Sequence, residues 1–390
     1  MSKGSMAWTA ALVCALGASA AAQTEERAAL AWKLDKGQTL HYAYSVKSTT
    51  SLGMGGGMNL VDTEQKTGYT LTLRVLDVQG DRATVEATIT SVQQSRTNKS
   101  MMGVQTVAYD SAADDGQATG EAKLLSVLRH AVGKSFRFTL DATGKVEGLS
   151  GGQEIRDAIA SAATEEVKAF LQSQPGAMGP MGMQMGPEQI TQMLVDRLTA
   201  AFADEALSES LNQVCQVLPP GPKAEGESWT RERKVPVLML GQLGYRTKFT
   251  HSGSEGGTTR ITLGLDGEPT LERAPAEEGG GNPMMNMLKT VLAGMKLSRA
   301  SLDGSATVRS GHVVDAEITR SIEAEGEAPA GLGMMGGMGG QGGMGGQGGE
   351  GGQAPKMSVS ARVVVRFVQK DAPPAAKPAS GAGADEGAKF

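Results

Sequence analysis

The stretch YTLTLRVLDVQGDRATVEATIT, Tyr69–Thr90, decides the fold. Tyr69, Leu71, Leu73 and Val75 are apolar at every second position, and after Gly80-Asp81 the alternation resumes with Ala83, Val85, Ala87 and Ile89 between charged or hydroxylated neighbours. A period of two belongs to a strand that buries one face, and a Gly-Asp pair between two such runs closes a hairpin. This pattern predicts a long antiparallel hairpin from about Tyr69 to Thr97.

Working outward, the same period marks Leu40, Tyr42, Tyr44 and Val46, and a second hairpin from Phe136 through Asp141-Ala142-Thr143-Gly144 to Leu149. Strands are also predicted at Trp229–Val235, Tyr245–His251, Thr258–Leu265 and Glu268–Arg273, followed by a long hairpin from about Leu297 to Glu323 turning at Ser310-Gly311. Met357, Val359, Ala361, Val363, Val365 and Phe367 form the clearest alternation of all, and this strand is expected to pair with the one before it.

Between the two strand-rich parts the period becomes that of a helix. Leu124, Leu125, Leu128 and Val132 line a short segment, then Ile155, Ile159, Ala162 and Phe170, then Ile190, Met193, Leu194, Leu198, Ala201 and Phe202. Pro187 stands at a favoured helix start, and a break near Ala203-Asp204 is followed by Leu207, Leu211, Val214 and Leu218. Long hairpins and one-sided helices together predict an α+β fold: a large curved antiparallel sheet, a half-barrel-like meander, with amphipathic helices packed on one face.

Residues 23–325 and 356–370 are read as one domain. Two similar halves are conceivable within it, about 30–150 and 225–370, joined by helical residues 151–218. Lys36-Gly37-Gln38-Thr39-Leu40 and Glu225-Gly226-Glu227-Ser228-Trp229 open them in a similar way. Residues 326–355, dominated by Gly with Met and Gln, and residues 371–390, rich in Ala, Pro and Gly, carry too little to bury and are expected to be disordered.

Residues 1–22 read as a signal peptide: Lys3, an apolar run from Met6 to Gly17, and a small-residue exit at Ala18-Ser19-Ala20-Ala21-Ala22. Periplasm or the extracellular space is therefore the expected location. Cys14 lacks the leucine and small-residue spacing before it that a lipid-modified cysteine requires. Cys215 is then the only thiol left, with no disulfide partner, and its helical spacing from Leu211 and Leu218 predicts a buried structural role. A net charge of -5 lacks the basic footprint of a nucleic-acid binder and the polybasic patch of a lipid-surface binder.

Three motif groups resemble those of a family of exported bacterial proteins of unknown function. They are Leu34-x-Lys36-Gly37 with Tyr42-x-Tyr44; Gly133-x-x-Phe136-x-Phe138-x-x-Asp141-x-x-Gly144-x-Val146; and Gly226-Glu227-Ser228-Trp229. The resemblance covers most of residues 30–370 and implies no established functional residue. At the level of architecture alone, long hairpins with helices against them are similar to periplasmic lipoprotein carriers, whose half-open barrel holds acyl chains.

The chemical motifs are weak. Gly148-Leu149-Ser150-Gly151-Gly152 matches the Gly-x-Ser-x-Gly elbow of serine hydrolases, but the strand before Ser150 belongs to an antiparallel hairpin, so a flexible link into a helix is the expected reading and no enzyme is predicted. His41, His130, His251 and His312 stand alone, without ligand spacing. Gly331-x-Gly333-x-x-Gly336 lies in glycine-rich sequence, and Asp114-Asp115, Glu165-Glu166 and Glu277-Glu278 read as solvated surface. Of the 21 methionines, 13 cluster at Met54 and Met58, Met178 to Met185, Met284 to Met287, and Met334 to Met344. Thioethers on flexible backbone suit Cu(I), which makes Cu(I) handling an alternative function.

The leading expectation is a non-enzymatic envelope protein that binds a lipid or a lipidated partner. No cofactor is predicted. Inward strand residues Tyr42, Tyr44, Leu71 and Leu73 would meet the ligand, with the helices as a cover. The competing expectation is a structural or interaction protein whose helices fill the sheet.

Overall fold

In the computed structural model the strands join one curved, open antiparallel sheet. The structure describes residues 30–54, 58–100, 103–114, 116, 118–173, 186–237, 240–273, 294–327 and 356–371. The strands are β1 (Thr39–Met54), β2 (Met58–Gln79), β3 (Arg82–Ser100), β4 (Gly103–Asp110), β5 (Ser135–Asp141), β6 (Val146–Ser150) and β7 (Ser228–Val237). They continue with β8 (Gly241–Glu255), β9 (Thr258–Leu265), β10 (Thr270–Glu272), β11 (Lys296–Arg309), β12 (His312–Glu327) and β13 (Lys356–Lys370).

The sheet runs β8-β9-β11-β12-β13-β1-β2-β3-β5-β6. β7 pairs along one edge of β8, while β9 and β10 take different stretches of its other edge. At the opposite end β5 pairs with Arg82–Thr88 of β3, and β4 pairs with Gln93–Ser100 on that same edge. The two strand-rich parts of the chain are joined where β13 pairs with β12 on one side and with β1 on the other, Tyr44 lying opposite Phe367. The second of these pairings goes beyond the expected hairpin partner, and it turns two meanders into one sheet.

Local irregularities set which side chains face inward. Along β2 and β3 the pairs Leu71–Ile89 and Thr70–Ser91 leave Thr90 as an extra residue, its hydroxyl donating to the Thr70 carbonyl at 3.1 Å. Such a bulge shifts the alternation by one residue and bends the strand. Inward positions are thus Ala83, Val85, Ala87 and Ile89 before it, and Val92, Gln94 and Arg96 after it.

The helical layer follows the expected order. It comprises α1 (Gly120–Ser126), a 3-10 turn Val127–Ala131, α2 (Gly152–Ser173), α3 (Pro187–Thr199), a 3-10 turn Ala200–Phe202 and α4 (Asp204–Cys215). Pro187 is at the start of α3. Three details differ from expectation. Val132 lies past the helical segment and is exposed. The buried stripe of α2 is Ile155, Ile159, Ala163, Val167 and Leu171, leaving Ala162 and Phe170 at its margins. β12 runs through Gly326 and Glu327, so the glycine-rich excursion begins two residues later than residue 326.

α4 is pinned at both ends, to α2 at its start and to the sheet at its close. Asp204 accepts the Gly152 N–H at 2.8 Å, linking the first residue of α2 to the first of α4. A side chain at Gly152 would collide with that carboxylate and with the Phe202 carbonyl. At the other end Arg233 donates to the carbonyls of Asn212 and Gln216, and Arg231 to that of Leu218. These cations meet carbonyls at and just past the negative end of the α4 dipole, which offsets their burial. Asn212 also donates to the Val146 carbonyl at 3.3 Å and accepts its N–H at 2.8 Å, so a side-chain amide continues the ladder at the free edge of β6. The Trp32 indole donates to the Cys215 carbonyl at 3.1 Å beside Gly144, whose φ of 86° and crowded position both exclude a side chain.

Candidate functional site

The helices do not cover the inner face of the sheet evenly. Under the C-terminal turns of α4 the face is filled. Tyr42 stacks on Phe367 at 4.1 Å between ring centroids, and Trp229 stacks on Phe249 at 5.6 Å. The void beside Arg233, Tyr245, Thr247 and Arg320 is only about 10 Å³. Arg320 there donates to the Tyr245 hydroxyl at 3.1 Å and lies over its ring.

Toward β4 the layers separate. Val167, Leu171 and Ile190 form a cluster of their own, flanked by Leu124, Phe170 and Leu194 and distinct from the main core. Between this cluster and the sheet lies a cavity of about 340 Å³. Its roof is mainly apolar, with Leu124 and Leu125 of α1, Val167, Phe170 and Leu171 of α2, and Ile190, Met193, Leu194 and Leu198 of α3, and the same helices add Glu121 and Arg197. Its floor is Gln65 of β2, Gln94 and Arg96 of β3, and Val107 of β4. The physical cause is in the floor: apolar helix faces cannot close onto Gln and Arg without stripping these groups of water and returning no hydrogen bond.

Charge in the cavity comes from Arg96, Arg197 and Glu121. Arg96 donates from Nε to Asn98 Oδ1 at 3.1 Å. Burial and then the neighbouring Arg197 guanidinium depress its pKa, with Glu121 acting in the opposite sense. Glu121 accepts a hydrogen bond from Gln105 at 3.3 Å.

A second cavity, of about 220 Å³, lies between β1–β3 and the junction of α3 with α4. Tyr44, Tyr69, Leu71, Phe136, Phe202 and Leu207 are among its walls. The Tyr69 ring meets Phe202 edge-on at 5.4 Å and stacks parallel to Tyr44 at 6.2 Å. The Tyr44 hydroxyl is pushed up to about 12 by burial, a hydrogen bond with Ser210 acting in the opposite sense.

Two of the four residues expected from sequence to line a ligand cavity, Tyr44 and Leu71, line this smaller one. Tyr42 and Leu73 are buried in the main core and line neither cavity. Sequence reasoning missed Arg96 and Arg197 altogether. The signal for Arg96 was the continued alternation of β3 past the bulge, with polar residues in the inward positions.

The other motifs are placed as follows. Ser150 is the exposed last residue of β6, paired antiparallel with Arg137 of β5, and α2 begins at Gly152. The imidazole of His251 bonds Ser254 at 3.0 Å, His312 bonds Gln38 at 2.9 Å and His41 bonds Thr72 at 3.0 Å. Among the described residues no group of three or more His, Cys, Asp or Glu side chains is placed to hold a metal ion. The methionines at 178–185, 284–287 and 334–344, and the side chains of Met54 and Met58, lie outside the described residues, as do Asp115, Glu277, Glu278, the Gly331 motif and residues 1–22. Cys215 is buried, and burial pushes its thiol up to about 12. Among the described residues no helix is long and apolar enough to cross a membrane.

Comparison with known proteins gives one family and several structural matches, among them a lipovitellin and an outer membrane protein. A lipovitellin structure described by its lipid–protein interactions is similar with a TM-score of 0.41 at 10% identity, covering 89% of this chain and 27% of that one. The outer membrane protein OprG from Pseudomonas aeruginosa gives a TM-score of 0.18 at 5% identity, over 87% of this chain and 100% of its own. At those scores neither likeness says anything about function. No curated protein matches the sequence. The model of a family of unknown function, DUF6263, matches residues 82–308, from the start of β3 to the end of β11. That stretch is more than half of the chain and holds most of the cavity residues, and the protein belongs to the DUF6263 family.

Proposed function

We propose that the protein is an exported, non-catalytic binder of a hydrophobic ligand, a lipid or the lipid group of a modified partner, held between the helices and the inner face of the sheet. The observation that carries this reading is the cavity of about 340 Å³ with a mainly apolar roof on three helices. Its volume falls in the range of ligand pockets, about 300–1,000 Å³. Export is read from the charged, apolar and small-residue segments of residues 1–22.

Native mass spectrometry of the protein purified gently from the envelope of its host tests this. A discrete added mass, removed by organic extraction, is expected. Affinity for a series of alkyl ligands should also rise with chain length, by about 0.8 kcal/mol for each methylene that enters the cavity. Protein that stays free of ligand after incubation with envelope extract would sink the reading.

The filled region under α4 favours a second reading, a structural or interaction protein of the envelope. There Tyr42 and Phe367 are fully buried, and Val214 and Cys215 of α4 are spent on the core. The two readings divide on whether the roof of α1, α2 and α3 holds a guest.

A further inference from the structure

We infer that the larger cavity takes an anionic single-chain amphiphile, with its tail under α2 and α3 and its head group held by Arg96 and Arg197. The inference rests on the hydrophobic-ligand reading and adds the head group to it. Three observations support it. The cavity combines a mainly hydrocarbon wall from the helices with a polar end made by Gln65, Gln94 and Arg96 of the sheet and Glu121 and Arg197 of the helices, and an amphiphile carries the same two chemistries. Its volume of about 340 Å³ is at the small end for ligand pockets, room for one chain rather than two.

Charge supplies the sign. The ionisable groups lining the cavity are Arg96, Arg197 and Glu121, a net positive set. Arg96 is half-buried and Arg197 exposed, and the two cations oppose one another's charge. Among the described residues, the one side-chain bond of Arg96 leaves from Nε to Asn98, so its two terminal nitrogens stay free to form the paired N–H donors that suit a carboxylate. An anion placed between the two guanidiniums relieves their repulsion. A cation would add to it, leaving only Glu121 to compensate.

The test uses the full chain and three twelve-carbon probes that differ only in head group: laurate, dodecanol and dodecyltrimethylammonium. Titration calorimetry at moderate salt should show laurate binding about tenfold more tightly than dodecanol, with the ammonium weakest. Arg96→Gln with Arg197→Gln should bring laurate down to the level of dodecanol and leave dodecanol unchanged. Because Arg197 is exposed, Arg197→Gln alone, with an unaltered circular dichroism spectrum, provides the same comparison without a question of folding. Equal binding of all three probes, or tightest binding of the ammonium, overturns the head-group assignment and leaves the hydrophobic-ligand reading standing. Failure of every probe to bind removes both.

Discussion

The two ends of the inner sheet face differ in one respect that decides everything else about them. Under the C-terminal turns of α4 the inward residues include Tyr42 and Phe367, fully buried and stacked on one another, and the helix closes onto them. Under α2 and α3 the inward residues are Gln65, Gln94 and Arg96, and the helices stand off. Both regions have amphipathic helices with apolar faces, so the helices do not explain the difference. A polar floor under an apolar roof keeps a cavity open because neither surface satisfies the other.

The largest test of that contrast compares two phenylalanines. Phe367 is fully buried against Tyr42, and Phe367→Ala should destabilise the protein by about 3–5 kcal/mol. Phe170 faces space already open, so Phe170→Ala should cost about 1 kcal/mol or less while weakening ligand binding. Urea midpoints for the two variants check this. Similar losses would mean that the cavity is packed in solution.

Alkaline pH should act on the fold through its buried thiol and phenols. Cys215 is pushed up to about 12 by burial, and Tyr42 and Tyr44 are also raised, mainly by burial. The unfolded chain ionises its thiol near pH 8.5 and its phenols near pH 10, whereas the folded protein holds these protons. Over that interval the folded state binds more protons, so stability falls as pH rises. The loss should begin near pH 9 and reach the order of a few kcal/mol by pH 11, measured as a falling urea midpoint. Cys215→Ala should flatten the lower part of that slope. At pH 8 the native thiol should resist alkylation and react only on unfolding.

A smaller effect belongs to Asn212, the residue that joins the filled helix to the last strand. Asn212→Leu leaves the Val146 N–H without its partner and should cost about 1–2 kcal/mol. Hydrogen exchange should localise the loosening to β6 and the C-terminal turn of α4. An unchanged exchange pattern would show that water replaces the amide and that the other ties of α4, to Arg231, Arg233, Trp32 and Gly152, suffice to hold it.

Much of this was legible in the sequence wherever one face of an element is buried. The alternation at Tyr69–Val75 and Met357–Phe367 and the helical stripe of Leu207, Leu211 and Val214 state their own burial, while Leu218, read as the next turn of that stripe, is buried past the end of α4. β4 was not legible because Gly103–Asp110 is largely exposed and has no apolar alternation to read. The pairing of β1 with β13 joins residues some three hundred positions apart, which no local pattern specifies. The cavity was hidden for a different reason. Its floor depends on the Thr90 bulge, which moves the inward set from odd to even positions, so Arg96 reads locally as one more solvated charge in a polar strand.

That hidden register supplies the finest test. If the polar floor alone holds the layers apart, Gln65→Leu with Gln94→Leu should let the roof settle onto the sheet. The expected gain in stability is small, about 1 kcal/mol or less, because new apolar burial is partly offset by the desolvation of Arg96 between the new leucines. Exchange protection in α2 and α3 should rise while laurate binding falls, since the space has been filled by the protein itself. Unchanged protection with intact binding would place the cause of the cavity in the helices rather than in the floor. The contrast between the two ends would then rest on how α2 and α3 are tethered, not on what lies beneath them.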